Sequence, residues 1–351
     1  MLGANNKLKR RERMRFIKTL AVASVVTAWM AGSAAASTLD AVKEKGYVNA
    51  GVSGKVIGFS APDAKGKWTG LDVDFGRAVA AAIFNDPEKA RFTPVAFKEA
   101  FTALQSGEID ILTRNTTWTY QRDTKLGLEF VGVIFYDGQG FMVKKSLGVK
   151  SAKELNGASV CTQAGTTTEL NVSDYFVSNK MTYKPVVYES ADEASVIYDS
   201  GRCDVYTTDT SGLAARRSTL SNPKDHLILP EIISKEPLSP AVRQGDQQWS
   251  DIVRWVLFAL INAEELGITS QNVDEMMKST NPAIQRFLGV DANYGEYMGL
   301  TADWAYRIIK HVGNYGEIYE RNVGPATALG LERGVNALWT KGGLMYAPPI
   351  R

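Results

Sequence analysis

The chain has 351 residues, 44% of them hydrophobic, and a formal net charge of +2, which is ordinary for a globular protein with a real core. The positive charge sits at the start. Residues 1–36 carry seven basic groups and one acid, so the remainder is near −4, which argues against a nucleic-acid binder, and about 315 residues fit two domains.

Residues 1–18 are basic: Lys7, Lys9, Arg10, Arg11, Arg13, Arg15 and Lys18 stand against Glu12. An apolar run from Leu20 to Met30 follows, then Gly32-Ser-Ala-Ala-Ala-Ser37. This is the build of a cleaved secretory signal peptide, with cleavage after Ala36. A single membrane anchor is the alternative, but the run falls short of the roughly 20 apolar residues that span a bilayer. Export favours a disulfide, and the chain has two cysteines, Cys161 and Cys203. Cys161 falls in one apolar strand and Cys203 just before another, and neighbouring parallel strands could bring them together. Two buried thiols are the alternative.

Strand and helix signals then alternate, which predicts an α/β fold with mainly parallel sheets. Tyr47–Gly51 reads as the first strand. Leu71, Phe75, Val79 and Ile83 repeat at four-residue spacing on a helix after Gly70. Phe101 and Leu104 belong to a short helix stopped by Gly107, and Ile109–Thr113 is the next strand. Phe141–Lys144 is extended. A second α/β unit follows: strand Ala158–Thr162, helix Thr166–Phe176 opened by a capping box between Thr166 and Glu169, helix Ala191–Asp199, and strand Asp204–Thr208. The chain is extended again through Ile232–Arg243. A strong apolar stripe from Trp249 to Ile261 is stopped at Gly267, and shorter helices are expected near 270–278, 301–311 and 332–339.

Three segments carry chemistry. In Asp110–Arg122 an apolar strand runs into hydroxyl-rich sequence containing Asn115 and Thr117, and Arg122 follows. Arginine offers a planar, permanently charged fork that matches a carboxylate; a surface arginine paired with Asp123 is the alternative. Gly165-Thr166-Thr167 opens a helix, whose free N–H groups suit an anion; a plain helix cap is the alternative. Asp209 ends an apolar strand, where it can meet an ammonium or cap the helix Thr210–Arg217. Phe59, Trp118 and Tyr136 are candidates to line an apolar pocket, or simply core. Against catalysis, His226 and His311 are the two histidines and lack metal-ligand spacing, and no nucleophile–base signature or nucleotide-binding loop occurs. No cofactor is expected.

Together these segments resemble the polar amino-acid family of ABC-transporter solute-binding proteins. The matching features are Gly70-Leu-Asp-Val-Asp74, Arg122 after Thr117, the Gly165–Thr167 helix start and Asp209. Gly138-Gln-Gly-Phe-Met-Val143 and Asn314–Asn322 are similar to its general L-amino-acid-binding branch. The resemblance implies a type II periplasmic-binding-protein clamp of two α/β lobes, with helical additions after Gly267. Lobe 1 would hold 38–136 and 241–351, lobe 2 would hold 142–235, and 137–141 with 236–240 would be the hinge. It implies a monomeric, non-enzymatic periplasmic protein that takes L-amino acids broadly and delivers them to membrane permease subunits. Substrate contacts would come from Arg122, Thr117, Asn115, Thr166, Thr167, Asp209, Phe59 and Trp118. Ala100 stands where members that bind acidic amino acids often carry an arginine, which weighs against a glutamate-specific site. A dehydratase-like enzyme on the same fold and a sensor domain are the rival readings.

Overall fold

The computed structural model describes residues 37–351, so the expected signal peptide lies outside the described residues. Helix α1 (Thr38–Lys45) leads into strand β1 (Val48–Val52), buried at four of its five positions, as befits a strand covered on both faces. A Cβ at Gly51 would come within 2.3 Å of Ile109 Cδ1, so a larger residue in this inner strand would require the Ile109 side chain to shift. A small hairpin of β2 (Ala61–Pro62) and β3 (Trp68–Thr69) precedes helix α2 (Leu71–Phe84). Gly70 makes that entry possible: its φ is +126°, and a Cβ would meet Phe59 O at 2.1 Å. Strand β4 (Ala90–Pro94), helix α3 (Phe97–Ser106), strand β5 (Ile111–Leu112), helix α4 (Tyr120–Lys125) and strand β6 (Leu128–Phe130) complete the first run. Gly107 ends α3 in the left-handed region, as expected. β1 pairs in parallel with β4 and with β5.

After β7 (Phe135–Asp137) the chain enters a second five-stranded sheet. Its elements are β8 (Gln139–Lys144), β9 (Ser159–Gln163), α5 (Thr167–Ser178), β10 (Lys184–Tyr188), α6 (Ala191–Asp199), β11 (Val205–Asp209), α7 (Thr210–Arg217) and β12 (His226–Ile228). The strand order is β10-β9-β11-β8-β12. β9 and β11 run parallel with Tyr206 opposite Cys161. This register brings Cys161 and Cys203 to a Cα separation of 5.9 Å, and they form a disulfide.

β13 (Glu236–Leu238) returns antiparallel to β7, and β14 (Ala241–Arg243) inserts into the first sheet, giving the order β4-β1-β5-β14-β6. Helix α8 (Gln247–Glu265) buries the predicted stripe, with Asp246 capping Trp249 N and Trp249 Nε1 donating to Asp110 O at 3.0 Å. The short α9 (Val273–Met276) and α10 (Pro282–Leu288) follow, then α11 (Trp304–Val312) and α12 (Tyr315–Asn322), the last opened by a capping box between Asn314 and Glu317. Their apolar residues join the core of the first sheet through Ile308, Tyr315 and Tyr319. The helix expected near 332–339 is absent. Gly334 at φ +47° and the open turns around it leave two 3-10 turns, Gly334–Asn336 and Trp339–Lys341.

Candidate functional site

The two acids of the Gly70–Asp74 segment build structure. Asp74 accepts from Arg321 Nε at 2.8 Å and from Asn322 Nδ2 at 2.6 Å, which fastens α12 to α2. Asp72 accepts from Thr113 Oγ1 at 3.2 Å and from Asn115 N at 3.1 Å. That grip fixes the chain beyond β5 and holds Asn115 at a φ of +40°, a conformation few non-glycine residues adopt. Burial pushes the Asp72 carboxyl up to about 7, against the pull of Thr113, the Asn115 N–H and Arg114.

Arg122 sits in the first turns of α4, where Thr119 caps its N–H. Its side chain is 8% exposed. Nη1 donates to Thr117 O at 2.8 Å, and the guanidinium lies 5.1 and 5.5 Å from the rings of Phe97 and Phe101. Among the described residues it has no ion-pair partner within 4 Å. Burial lowers its proton affinity, opposed by the fields of Glu236 and Asp209. The alternative, a surface pairing with Asp123, does not occur.

Asp209 ends β11 and stands where a cap for α7 would stand, yet its side chain caps nothing. Asp137 does that work instead, accepting from Thr210 Oγ1 at 2.6 Å, from Ser211 N at 3.3 Å and from Ser211 Oγ. The Asp209 carboxyl is 8% exposed. Burial first, then repulsion from Asp137 and Glu236, raises it well above the usual carboxylate range, with Arg122 opposing. A buried acid repelled by two others, and bonded among the described residues only to its own backbone N–H, is a site short of a cation.

Glu236, which the sequence reading missed, joins the two sheets. Its Oε2 accepts from Thr117 Oγ1 at 2.5 Å and Thr167 Oγ1 at 3.0 Å, and its Oε1 from Asn171 Nδ2 and Ser234 Oγ, both at 2.7 Å. The hydroxyls of Thr117 and Thr167 are therefore held by the protein itself. Thr166 caps α5 and donates to Gln163 O. Thr166 Oγ1 accepts from Glu169 N at 3.3 Å as the capping box predicts, and only the return bond is displaced, from Thr166 N to Gly165 N.

A cavity of about 340 Å³ opens between the sheets, lined from one side by Lys55, Phe97, Arg114 and Asn115 and from the other by Gln163, Asp192, Tyr206 and Arg216. The buried Oδ1 of Asn115 has no hydrogen-bond partner among the described residues. All three aromatics expected to line a pocket lie elsewhere, Tyr136 packing against the core with its backbone bonded to Asn336. Phe59 is 1% exposed and packs edge-on against Phe135 in the core. Trp118 stacks on Phe130, with one face in solvent. Phe97 and Tyr206 are the aromatics at the cleft instead, and for Phe97 a helix-opening aromatic four residues before Phe101 was the available signal. Ala100 faces the core of α3 beside Leu104 and Ile109, so an arginine there would enter that core, and the argument from Ala100 against acidic ligands falls.

Residues 48–272 match the model for bacterial extracellular solute-binding proteins, family 3. The chain belongs to this family. It is 61% identical to the general L-amino acid-binding periplasmic protein AapJ of Rhizobium johnstonii, over 94% of this chain and 98% of that one. It is 54% identical to the glutamate/glutamine/aspartate/asparagine-binding protein BztA of Rhodobacter capsulatus, over 97% and 100%. A solved Brucella ovis ABC transporter periplasmic binding protein with glutathione bound superposes with a TM-score of 0.89, at 59% identity, covering 90% of this chain and all of that one. These family 3 members are binding proteins, and the likeness carries the type II two-lobed clamp. This family 3 protein is accordingly a solute-binding protein and not an enzyme.

Proposed function

We propose that this family 3 protein is the periplasmic component of an amino-acid ABC transporter, which captures L-amino acids broadly between its lobes and passes them to membrane permease subunits as a monomer. The observation that carries the reading is a pair of buried ionisable groups with no ion-pair partner within 4 Å among the described residues, Arg122 beside the first sheet and Asp209 at the end of a strand of the second. An α-carboxylate suits the open donors of the first, and an α-ammonium supplies the cation that the second lacks. The names of the relatives fit this chemistry. Glutathione fits it too, since its γ-glutamyl end keeps a free α-amino and α-carboxylate group. The short β7–β13 ribbon serves as the hinge. Closure draws on contacts across the cleft such as Lys98 with Glu189 at 2.5 Å and Lys55 with Asp192 at 3.0 Å, and ligand favours the closed form by touching both sheets. Mass spectrometry of ligand released from the purified protein tests the reading: α-amino compounds are expected, and a sugar or a metal ion would sink it.

A further inference from the structure

The charges around the interlobe cavity do not cancel. Lys55, Arg114 and Arg216 face it, with Glu189 and Asp192. Both acids are already engaged. Glu189 accepts from Lys98 at 2.5 Å, and Asp192 is shared between Lys55, at 3.0 Å, and Arg216. Arg114 is left over. Its Nε donates to Val95 O at 2.9 Å and its guanidinium lies 5.2 Å from the Phe97 ring, which fixes it in place. Its two terminal nitrogens have no protein acceptor among the described residues, and it has no ion-pair partner within 4 Å. Asp72 lies behind it, close enough to feel its field, but Asp72 is held by Thr113 and the Asn115 N–H.

Arg122 touches the same Phe97 ring at 5.1 Å. One aromatic side chain therefore carries two arginines, one at the amino-acid head site and one lining the cavity beyond it. Asn115, with its unpartnered Oδ1, lines that cavity as well. A ligand held by its head at Arg122 and Asp209 would send its side chain toward Arg114.

We propose that the cavity is an anion pocket in which Arg114 reads a carboxylate at the far end of the ligand, so that ligands with both an α-amino-acid head and a distal carboxylate are preferred. This rests on the head-site reading above. Two sources carry that chemistry, an acidic amino acid and a γ-glutamyl peptide. Selectivity follows because a neutral side chain closed against Arg114 leaves its guanidinium without an acceptor, and a cationic one meets it with repulsion.

Calorimetry on the full mature chain tests this with L-glutamate, L-norvaline, L-lysine and glutathione. Norvaline keeps the chain length of glutamate and lacks the carboxylate. Glutamate or glutathione should bind at least about tenfold tighter than norvaline, and lysine weakest of all. Arg114→Gln should collapse the advantage over norvaline to less than about threefold. The anionic ligand that loses most in that variant identifies the source. Equal loss for norvaline and both anionic ligands would overturn the proposal, as would tighter binding of lysine in the unmodified protein, a result that stands even if the variant fails to fold. Failure of every ligand in the unmodified protein would sink the head-site reading and the proposal with it. Loss of all four in Arg122→Ala, with native binding of at least one, supports the head site separately.

Discussion

Thr117 and Thr167 donate to one and the same carboxylate oxygen, Oε2 of Glu236, at 2.5 and 3.0 Å, although one follows the first sheet and the other opens a helix of the second. A carboxylate has about four acceptor sites, and Asn171 and Ser234 occupy the other oxygen. Glu236 thus ties both sheets to the β13 ribbon. Glu236→Ala leaves four donors without their acceptor in a buried place and should cost ~2–5 kcal/mol. Glu236→Gln should cost less, because its oxygen can face Asn171 while the threonine hydroxyls accept from its amide. Denaturant unfolding of the two variants checks the ranking, and an alanine variant as stable as the parent would refute it.

Arg122→Ala removes the buried partner of a ligand carboxylate, a change worth about 2–5 kcal/mol, so affinity for any amino acid should fall at least roughly thirtyfold. Arg122→Lys should recover only part of this, since an ammonium offers no planar fork. Near-native affinity of the alanine variant in calorimetry would refute the assignment.

That Arg122 and Asp209 would be charged groups close after apolar strands was legible as a local pattern, and the α/β alternation, the 249–261 helix stripe and the two cysteines were local in the same sense. What stayed hidden was set by contacts distant in sequence. Glu236 meets Thr117 from 119 residues away, and nothing near it marks a carboxylate destined for burial. Asp137 takes over the cap of α7 from 74 residues upstream. Phe59 and Phe97 are both aromatics beside strands; whether each faces core or cleft depends on how α2 and α3 pack, which periodicity does not reveal.

The Cys161–Cys203 bridge closes a loop with a sequence separation of 42. Reduction should destabilise the second sheet by ~2–4 kcal/mol through the freedom returned to the unfolded chain. Thiol titration of protein unfolded without reductant should find no free thiol, and a reduced sample should unfold at lower denaturant.

Asp72 makes stability pH-dependent. Its folded value of about 7 lies above the unfolded 3.8, so between these the folded state holds a proton that the unfolded chain has released. Stability from this group therefore falls as pH rises through that window, by at most ~4 kcal/mol. Asp72→Asn should remove the dependence. The stability gap between variant and parent should shift in favour of the asparagine on going from about pH 4 to above about pH 7. A gap that stays constant across this range would contradict the buried, proton-holding Asp72.

Ligand binding should also be linked to protons, through Asp209. Burial and the neighbouring Asp137 and Glu236 raise its proton affinity in the empty protein. An α-ammonium seated against it favours the ionised form instead. Binding then expels the proton that Asp209 holds, and the sign follows: affinity rises with pH above the ordinary carboxylate range and levels off once the empty site is already ionised. Arg122 cannot produce this trend, because an arginine stays charged throughout. Asp209→Asn should bind more weakly and lose the slope, since the amide has no proton to release. Titrations in two buffers of different ionisation enthalpy read the proton directly as a difference in apparent heat. Proton uptake on binding, or a slope that survives in Asp209→Asn, would place the ammonium elsewhere, with Asp137 the next group to test.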